Sequence, residues 1–337
     1  MSQASATNVK IEAHGLGGDR IARALIDNSV WVLLALGVII FMYLSPRFFN
    51  PFNNIQVYFN IPMQASVMGV LTIGLAGTIL LGDIDLSCVG MMAVSAASGV
   101  LIFKNFHIPG VLAYVIIVAV GTFLGFINGL LIAKLKTVAL IETLAMNTAL
   151  TGVVLAITRG RTITVSEPEY TWLGQSKAFG TIPYLVFILF FVYIIMHIVW
   201  RKTALGRSLY AVGGNARCAR VSGINVDRTR IAAFTISGMC AGIAGIMLSS
   251  KMSSINSVFG QTYGMDIIAA AVIGGTSLQG GIGKVSGILG GVLLLNFIQV
   301  GLQVLGLDSY FVQMATGLII MLAVVIDSLR IRFQARG

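Results

Sequence analysis

Apolar runs recur ten times along this chain, at about 29–45, 61–81, 86–104, 109–133, 138–157, 181–200, 230–250, 266–275, 285–305 and 310–329. Most reach the roughly 18 residues that cross a bilayer core as a helix. No water is present in hydrocarbon to take up backbone N–H and C=O groups. A spanning segment must therefore be a helix or part of a closed barrel. Spanning strands need only about 9–11 residues of alternating polarity, and these runs are longer and apolar on every side. The predicted fold class is all-α, a polytopic transmembrane helical bundle of about ten segments. The charged fraction agrees, at 10% of the chain against about 25% in soluble domains. Segment eight, 266–275, is short and bounded by glycine. That predicts a broken or re-entrant helix, covered by protein or water.

The net charge of +10 is placed in a way that argues against nucleic acid as a partner. Residues 201–230 hold Arg201, Lys202, Arg207, Arg217, Arg220, Arg228 and Arg230 against one acid, Asp227, and the C-terminal tail adds Arg330, Arg332 and Arg336. Basic clusters beside spans are what the positive-inside rule produces, with the lipid bilayer as the partner. Ten segments put both termini on one side. The 201–230 loop follows six and shares that side, as does the 134–137 loop with Lys134 and Lys136. The expected organisation is a cytosolic tail over 1–28, a transmembrane domain over 29–329 with its cytosolic loop at 201–230, and a cytosolic basic tail over 330–337. The polar 158–180 stretch then lies outside. The first 28 residues are too long and too acidic for a signal-peptide start. Cys88, Cys218 and Cys240 form no CxxC pair, and His14, His107 and His197 form no HxxxH pair. The cysteines read as reduced structural thiols, and no metal site is expected.

Three glycine rows stand at helical spacing: Gly121, Gly125 and Gly129; Gly238, Gly242 and Gly245; Gly283, Gly287 and Gly291. Small-xxx-small rows allow close helix packing, and a glycine-lined pore is the sharper alternative. Asp85 opens segment three and Asp266 opens segment eight. Segments two to five and seven to ten would run in opposite orientations, which points to two inverted repeats with short broken helices and a site at their interface. The stretch Gly280-Gly-Ile-Gly-Lys284-Val285 is no phosphate loop. That motif needs Gly at 278 and Ser or Thr at 285, where this chain has Leu278 and Val285. A tight hairpin is expected instead, and no cofactor of the chain's own.

Asp83, Asp85, Glu142 and Asp266 lie in or beside apolar segments, and intramembrane acids are functional candidates by default. Asp85 and Asp266 have a second reading as N-caps of the helices they open, with Ser87 inside the first turn after Asp85. Both readings stay open here. In the basic loop, Asn215 is a fair N-cap and Gly223 a fair C-terminal stop. They bracket about two turns with Ala216, Ala219 and Val221 apolar and Arg217 and Arg220 basic. A short capped amphipathic helix between long spans suits docking to a partner.

Three blocks then carry a resemblance. Leu81-Gly-Asp-Ile-Asp-Leu-Ser87 resembles the G-G-I-D-L-S-V-G signature of ribose-type ABC importer permeases. Thr203–Val226 is similar to their ATPase-facing loop, G-R-x-x-x-A-x-G-x-N-x-x-A-A-x-x-x-G-I. Tyr263 to Gly283 resembles their Y-E-L-D…G-G-T-S-L-x-G-G-x-G block. The chain departs from the pattern at Asp83 (Gly in the signature), Cys88 (Val), Gly264 (Glu) and Arg220 (Ala). The resemblance implies the membrane subunit of a monosaccharide importer in a bacterial inner membrane. It would carry no catalytic residue of its own. ATP and Mg²⁺ would be used by a cytosolic ABC ATPase docked around Gly214, Asn215, Ala219, Arg220, Ser222 and Gly223. An extracytoplasmic sugar-binding protein would deliver the solute, and a second permease subunit, identical or related, would complete the channel. Asp85, Ser87, Asp266, Thr276 and Ser277 are the candidates to line or brace the path. Two alternatives stand beside this: an ion-coupled secondary transporter with a proton on Asp83, Asp85 or Asp266, and a membrane enzyme with paired aspartates on Mg²⁺. The single acidic pair argues against the enzyme.

Overall fold

The computed structural model of the protein describes residues 29–44, 55–319 and 321. The expected tails, 1–28 and 330–337, lie outside the described residues. The chain is a helical membrane bundle. Its spans are α1 (Ser29–Leu44), α2 (Ile55–Ile79), α3 (Cys88–Phe106), α4 (Gly110–Leu135) and α5 (Ala139–Thr158). A short α6 (Pro168–Gln175) precedes α7 (Tyr184–Lys202), and two small helices follow, α8 (Ala204–Gly214) and α9 (Ala216–Val221). Then come α10 (Val226–Met252), α11 (Tyr263–Ile273), α12 (Val285–Val304) and a last helix, α13, over 309–319. Among the described residues seven helices are long and apolar enough to cross a membrane, and α1 and α11 are shorter apolar helices. Among the described residues each of the ten expected segments has a helix, the tenth over 309–319, with 322–329 of that segment lying outside them.

The connections sort into two ends. At one end, Lys134 in the last turn of α4 pairs with Asp227 at the start of α10 at 3.8 Å. The 134–137 and 201–230 connections therefore share this basic end. At the opposite end two residues of β1 (Ile163–Thr164) pair antiparallel with β4 (Ser254–Ile255). There Lys104 at the end of α3 donates to the Thr164 carbonyl at 2.7 Å. A second two-residue ribbon, β2 (Lys177–Ala178) with β3 (Ile182–Pro183), precedes α7. Prolines start several elements there: Pro109 before α4, Pro168 at the first turn of α6 and Pro183 before α7. Proline's missing N–H costs nothing at a helix start.

Glycine rows set the tightest packing, as the close-packing reading expects. A Cβ added to Gly121 would sit 2.5 Å from the Gly238 carbonyl oxygen, and one on Gly125 would sit 2.3 Å from that of Phe234. Helices α4 and α10 therefore touch backbone to backbone. Gly291 of the third row meets the Ala270 carbonyl of α11 in the same way, at 2.2 Å. These glycines line helix contacts, not a pore. The core gathers α2, α3 and α10, which are mostly enclosed, whereas α5 keeps only 17% of its span buried.

Candidate functional site

The break between α2 and α3 is where polar groups concentrate. Asp85 is fully buried. Its Oδ1 accepts from the Ser87 backbone N–H at 3.0 Å and from the Ser87 hydroxyl. Its Oδ2 accepts from the Ser237 hydroxyl of α10 at 2.7 Å. Asn128 of α4 donates through Nδ2 to the Ser87 hydroxyl at 2.6 Å. The Thr143 hydroxyl of α5 accepts from the Leu86 N–H at 3.1 Å, and Asn147 Oδ1 accepts from the Gly90 N–H at 3.0 Å. Thr143 and Asn147 of α5 thus satisfy backbone N–H groups at the break, while Asn128 of α4 and Ser237 of α10 hold the side chains of Ser87 and Asp85. Non-helical backbone at membrane depth needs such partners. The expected capping is corrected here. Ser87 holds the N-cap place of α3 without a side-chain cap bond, and Asp85, two residues earlier, closes a turn onto the Ser87 N–H instead.

Asp83 stands two residues away in a different setting. Its Oδ2 lies 2.9 Å from Nε of Arg230 in α10, an ion pair at the basic end with both side chains partly exposed. Burial raises this carboxyl above the usual aspartate range, and the neighbouring guanidinium opposes the rise. Glu142, in the first turn of α5, is half-buried. Its Oε2 is enclosed without a hydrogen-bond partner among the described residues.

Asp266 is corrected as well. Helix α11 starts at Tyr263 with Thr262 in the N-cap place, so Asp266 lies within the first turn, and its Oδ2 accepts from Gln299 of α12 at 3.1 Å. The helix runs from the end carrying β4 toward the basic end, and its first turn supplies Gly264 and Met265 to the same cavity that Leu86 lines. Thr276 and Ser277 lie in the turn after α11, beyond about 10 Å of helix rise from Asp266. Thr276 is fully buried with its hydroxyl unpaired among the described residues. Ser277 shapes the turn: its N–H donates to the Ile282 carbonyl at 3.0 Å and its hydroxyl accepts from the Gln279 N–H at 3.3 Å. Gly280 and Gly281, both at positive φ, make the expected hairpin.

This hairpin, the α2–α3 break and α8 meet at the basic end by backbone. The Gly281 N–H donates to the Leu80 carbonyl at 2.9 Å. A Cβ on Gly213 would sit 1.7 Å from the Leu80 carbonyl oxygen and 2.6 Å from the Gly281 nitrogen. The Tyr210 hydroxyl of α8 donates to the Gly283 carbonyl at 2.8 Å. Thr203 caps α8 by accepting from the Gly206 N–H, and Asn215 caps α9 by accepting from the Arg217 and Cys218 N–H groups at 3.0 Å each. Gly223, at φ +84°, ends α9, with the Ile224 N–H returning to the Ala219 carbonyl. Both expected caps are in place. Ala219 is buried, while Gly214, Arg217, Arg220, Val221 and Ser222 are exposed. Helix α9 therefore offers a basic outer face on a rigid mount.

A cavity of about 340 Å³ opens between α3, α5 and the 257–265 segment. Leu86, Val89, Ala93, Leu144, Val154 and Phe259 make its apolar walls, and Asn147, Thr151, Ser257 and Gln261 supply polar groups. The volume falls at the low end of the roughly 300–1,000 Å³ of small-molecule sites. The Asp85 cluster stands directly behind Leu86 and braces the wall. Of the candidates from sequence, Asp85 and Ser87 flank the cavity-lining Leu86 and bond to each other, Asp266 follows the cavity-lining Met265 but bonds to Gln299 instead, and Thr276 and Ser277 sit at the α8 junction. Asn128, Ser237, Asn147, Arg230 and Gly213 were not singled out from sequence. The first four are polar residues inside or at the edge of apolar spans, and that alone marks them.

Residues 57–326 match the family described as branched-chain amino acid transport system / permease component. The chain is 34% identical to a ribose import permease, RbsC, of Haemophilus influenzae, over 92% of this chain and 95% of the relative. It is 36% identical to the Bacillus subtilis protein of that name, over 86% and 89%. Identity to the Escherichia coli galactose/methyl galactoside import permease, MglC, is 30%, over 90% and 94%. No solved structure matches the chain.

Proposed function

Because the chain belongs to this family of transport-system permease components, matched over residues 57–326, we propose that it is the membrane subunit of an ATP-driven importer of a small sugar. The observation that carries the reading is the α8–α9 mount. A capped helix with an exposed basic face is locked by backbone contact at Gly213 to both broken loops of the bundle. A partner that moves α9 moves both loops together. That partner would be a cytosolic ABC ATPase, which would use ATP and Mg²⁺. The basic end is then cytosolic under the positive-inside rule, in a bacterial inner membrane with both termini inside. A binding protein would deliver solute at the opposite end, and a second permease subunit, identical or related, would cover the poorly buried α5. Sugar is favoured over amino acid by the relatives, which are named for ribose and galactose, and by the cavity's neutral polar groups.

Exchanging Arg220 for glutamate inverts the outer face of α9 without touching its caps. In the complete importer, Arg220→Glu should abolish stimulated ATP hydrolysis and uptake while the amount of chain in the membrane stays unchanged. Normal uptake in that variant would remove the proposed ATPase contact. Uptake that persists with ATP held constant and the proton gradient collapsed separates this reading from an ion-coupled carrier, for which uptake would stop. Uptake of labelled leucine in place of ribose or galactose would move the substrate to the amino acids of the family description.

A further inference from the structure

Two glycines line the cavity, and they differ in why they are glycine. Gly90 of α3 is packed: an added Cβ would sit 2.8 Å from Asn147 Oδ1 and 3.0 Å from Leu150. Gly264, in the first turn of α11, faces open space, with nothing within 4 Å of an added Cβ. Its φ lies outside the left-handed region, so no backbone conformation requires it. Glycine inside a helix costs about 0.5–1 kcal/mol relative to alanine. A residue that packs nothing, turns nothing and weakens its helix is explained by the room it leaves.

That room has a defined chemistry. Among the described residues no charged side chain lines the cavity. Asn147 lines it, with the carbonyl oxygen of its side chain used by the Gly90 N–H. Thr151 and Gln261 add neutral groups on either side. A solute with hydroxyls finds partners for them here, whereas the charges of a zwitterion would be left unpaired in a poorly solvating wall. We propose that Gly264 is the position that sets selectivity in this cavity, its missing side chain leaving the width and neutrality that decide which solutes pass. The proposal rests on reading the cavity as part of the solute path. A glutamate at 264 would both narrow this space and charge it.

The test uses the complete importer with Gly264→Ala, Gly264→Leu and Gly264→Glu, and labelled ribose and galactose as probes. Uptake should fall in order of added bulk. Gly264→Leu should reduce galactose uptake about tenfold more than ribose uptake, in line with what a methylene or two is worth in a fitted pocket. Equal losses for both sugars would overturn the selectivity role while leaving the path intact. Unchanged uptake in Gly264→Leu overturns it too. If Asn147→Leu and Thr151→Leu are then also silent, the cavity is not the path and the underlying reading falls with it. Should wild type import neither sugar, the geometry is still decided by Gly264→Cys in a Cys218→Ser background. A small water-soluble thiol reagent should label that cysteine in intact membranes, and failure to label would end the proposal.

Discussion

Asp85 and Asp266 each stand near the start of an apolar helix, in the two halves of the bundle, and they live in opposite surroundings. Asp85 is sealed, with donors arriving from its own turn and from α10, and with Asn128 of α4 bracing the serine between them. Asp266 is partly open and has one neutral partner, Gln299. The difference lies in what neighbouring helices bring. Around Asp85, α4, α5 and α10 each turn a polar side chain inward. Around Asp266 only α12 does. An acid at a helix start in an apolar sequence therefore has no fixed role, because the opposing faces decide whether it is a structural centre or a rim group.

The comparison breaks or sharpens by substitution. The largest effect is expected from Asp85→Leu. It orphans the Ser87 N–H and the Ser237 hydroxyl, and each unpaired buried donor costs about 1–3 kcal/mol. Thermal unfolding of the purified chain in detergent should show a loss of several kcal/mol, and Asp85→Asn, which still accepts from the Ser87 N–H, a clearly smaller one. Equal losses would mean that the charge, not the acceptor, holds the cluster. Next comes Arg230→Gln. It breaks an ion pair whose contacting atoms are enclosed, so the loss should exceed the roughly 1 kcal/mol of a fully exposed pair while staying below that of Asp85→Leu, and a double-mutant cycle with Asp83→Asn measures it. The smallest effect belongs to Asp266→Asn, which keeps an acceptor for Gln299 on a partly open site. Unfolding should shift by no more than about 0.5 kcal/mol. A large shift there would erase the contrast between the halves.

Much of this was legible along the chain. Ten apolar runs became ten helices, because span length and uniform apolarity leave no other structure in lipid. Asn215 and Gly223 announced a capped helix, because capping is local chemistry read from a few neighbours. The glycine rows announced close packing, though not which row faced which. What stayed hidden needed partners distant in sequence. Arg230 looks like one more topogenic charge until α10 brings it to Asp83. Gly213 looks like half of a flexible pair with Gly214. In the fold Gly214 is free of close neighbours, while Gly213 is wedged between two loops from different halves of the chain. The capping reading of Asp266, one of two left open, fails for a simpler reason. Helix α11 begins three residues earlier than its apolar run, at Tyr263, and helix boundaries are the least readable feature of a pattern.

The α4–α10 contact has a mechanical consequence. Where carbonyls and glycine α-carbons of two helices meet without side chains between them, no rotamer can change to let one helix slide past the other, and shear would drive backbone through backbone. The pair is a stator. Any stroke delivered at the basic end must therefore be taken up by elements hung on this pair rather than by sliding within it.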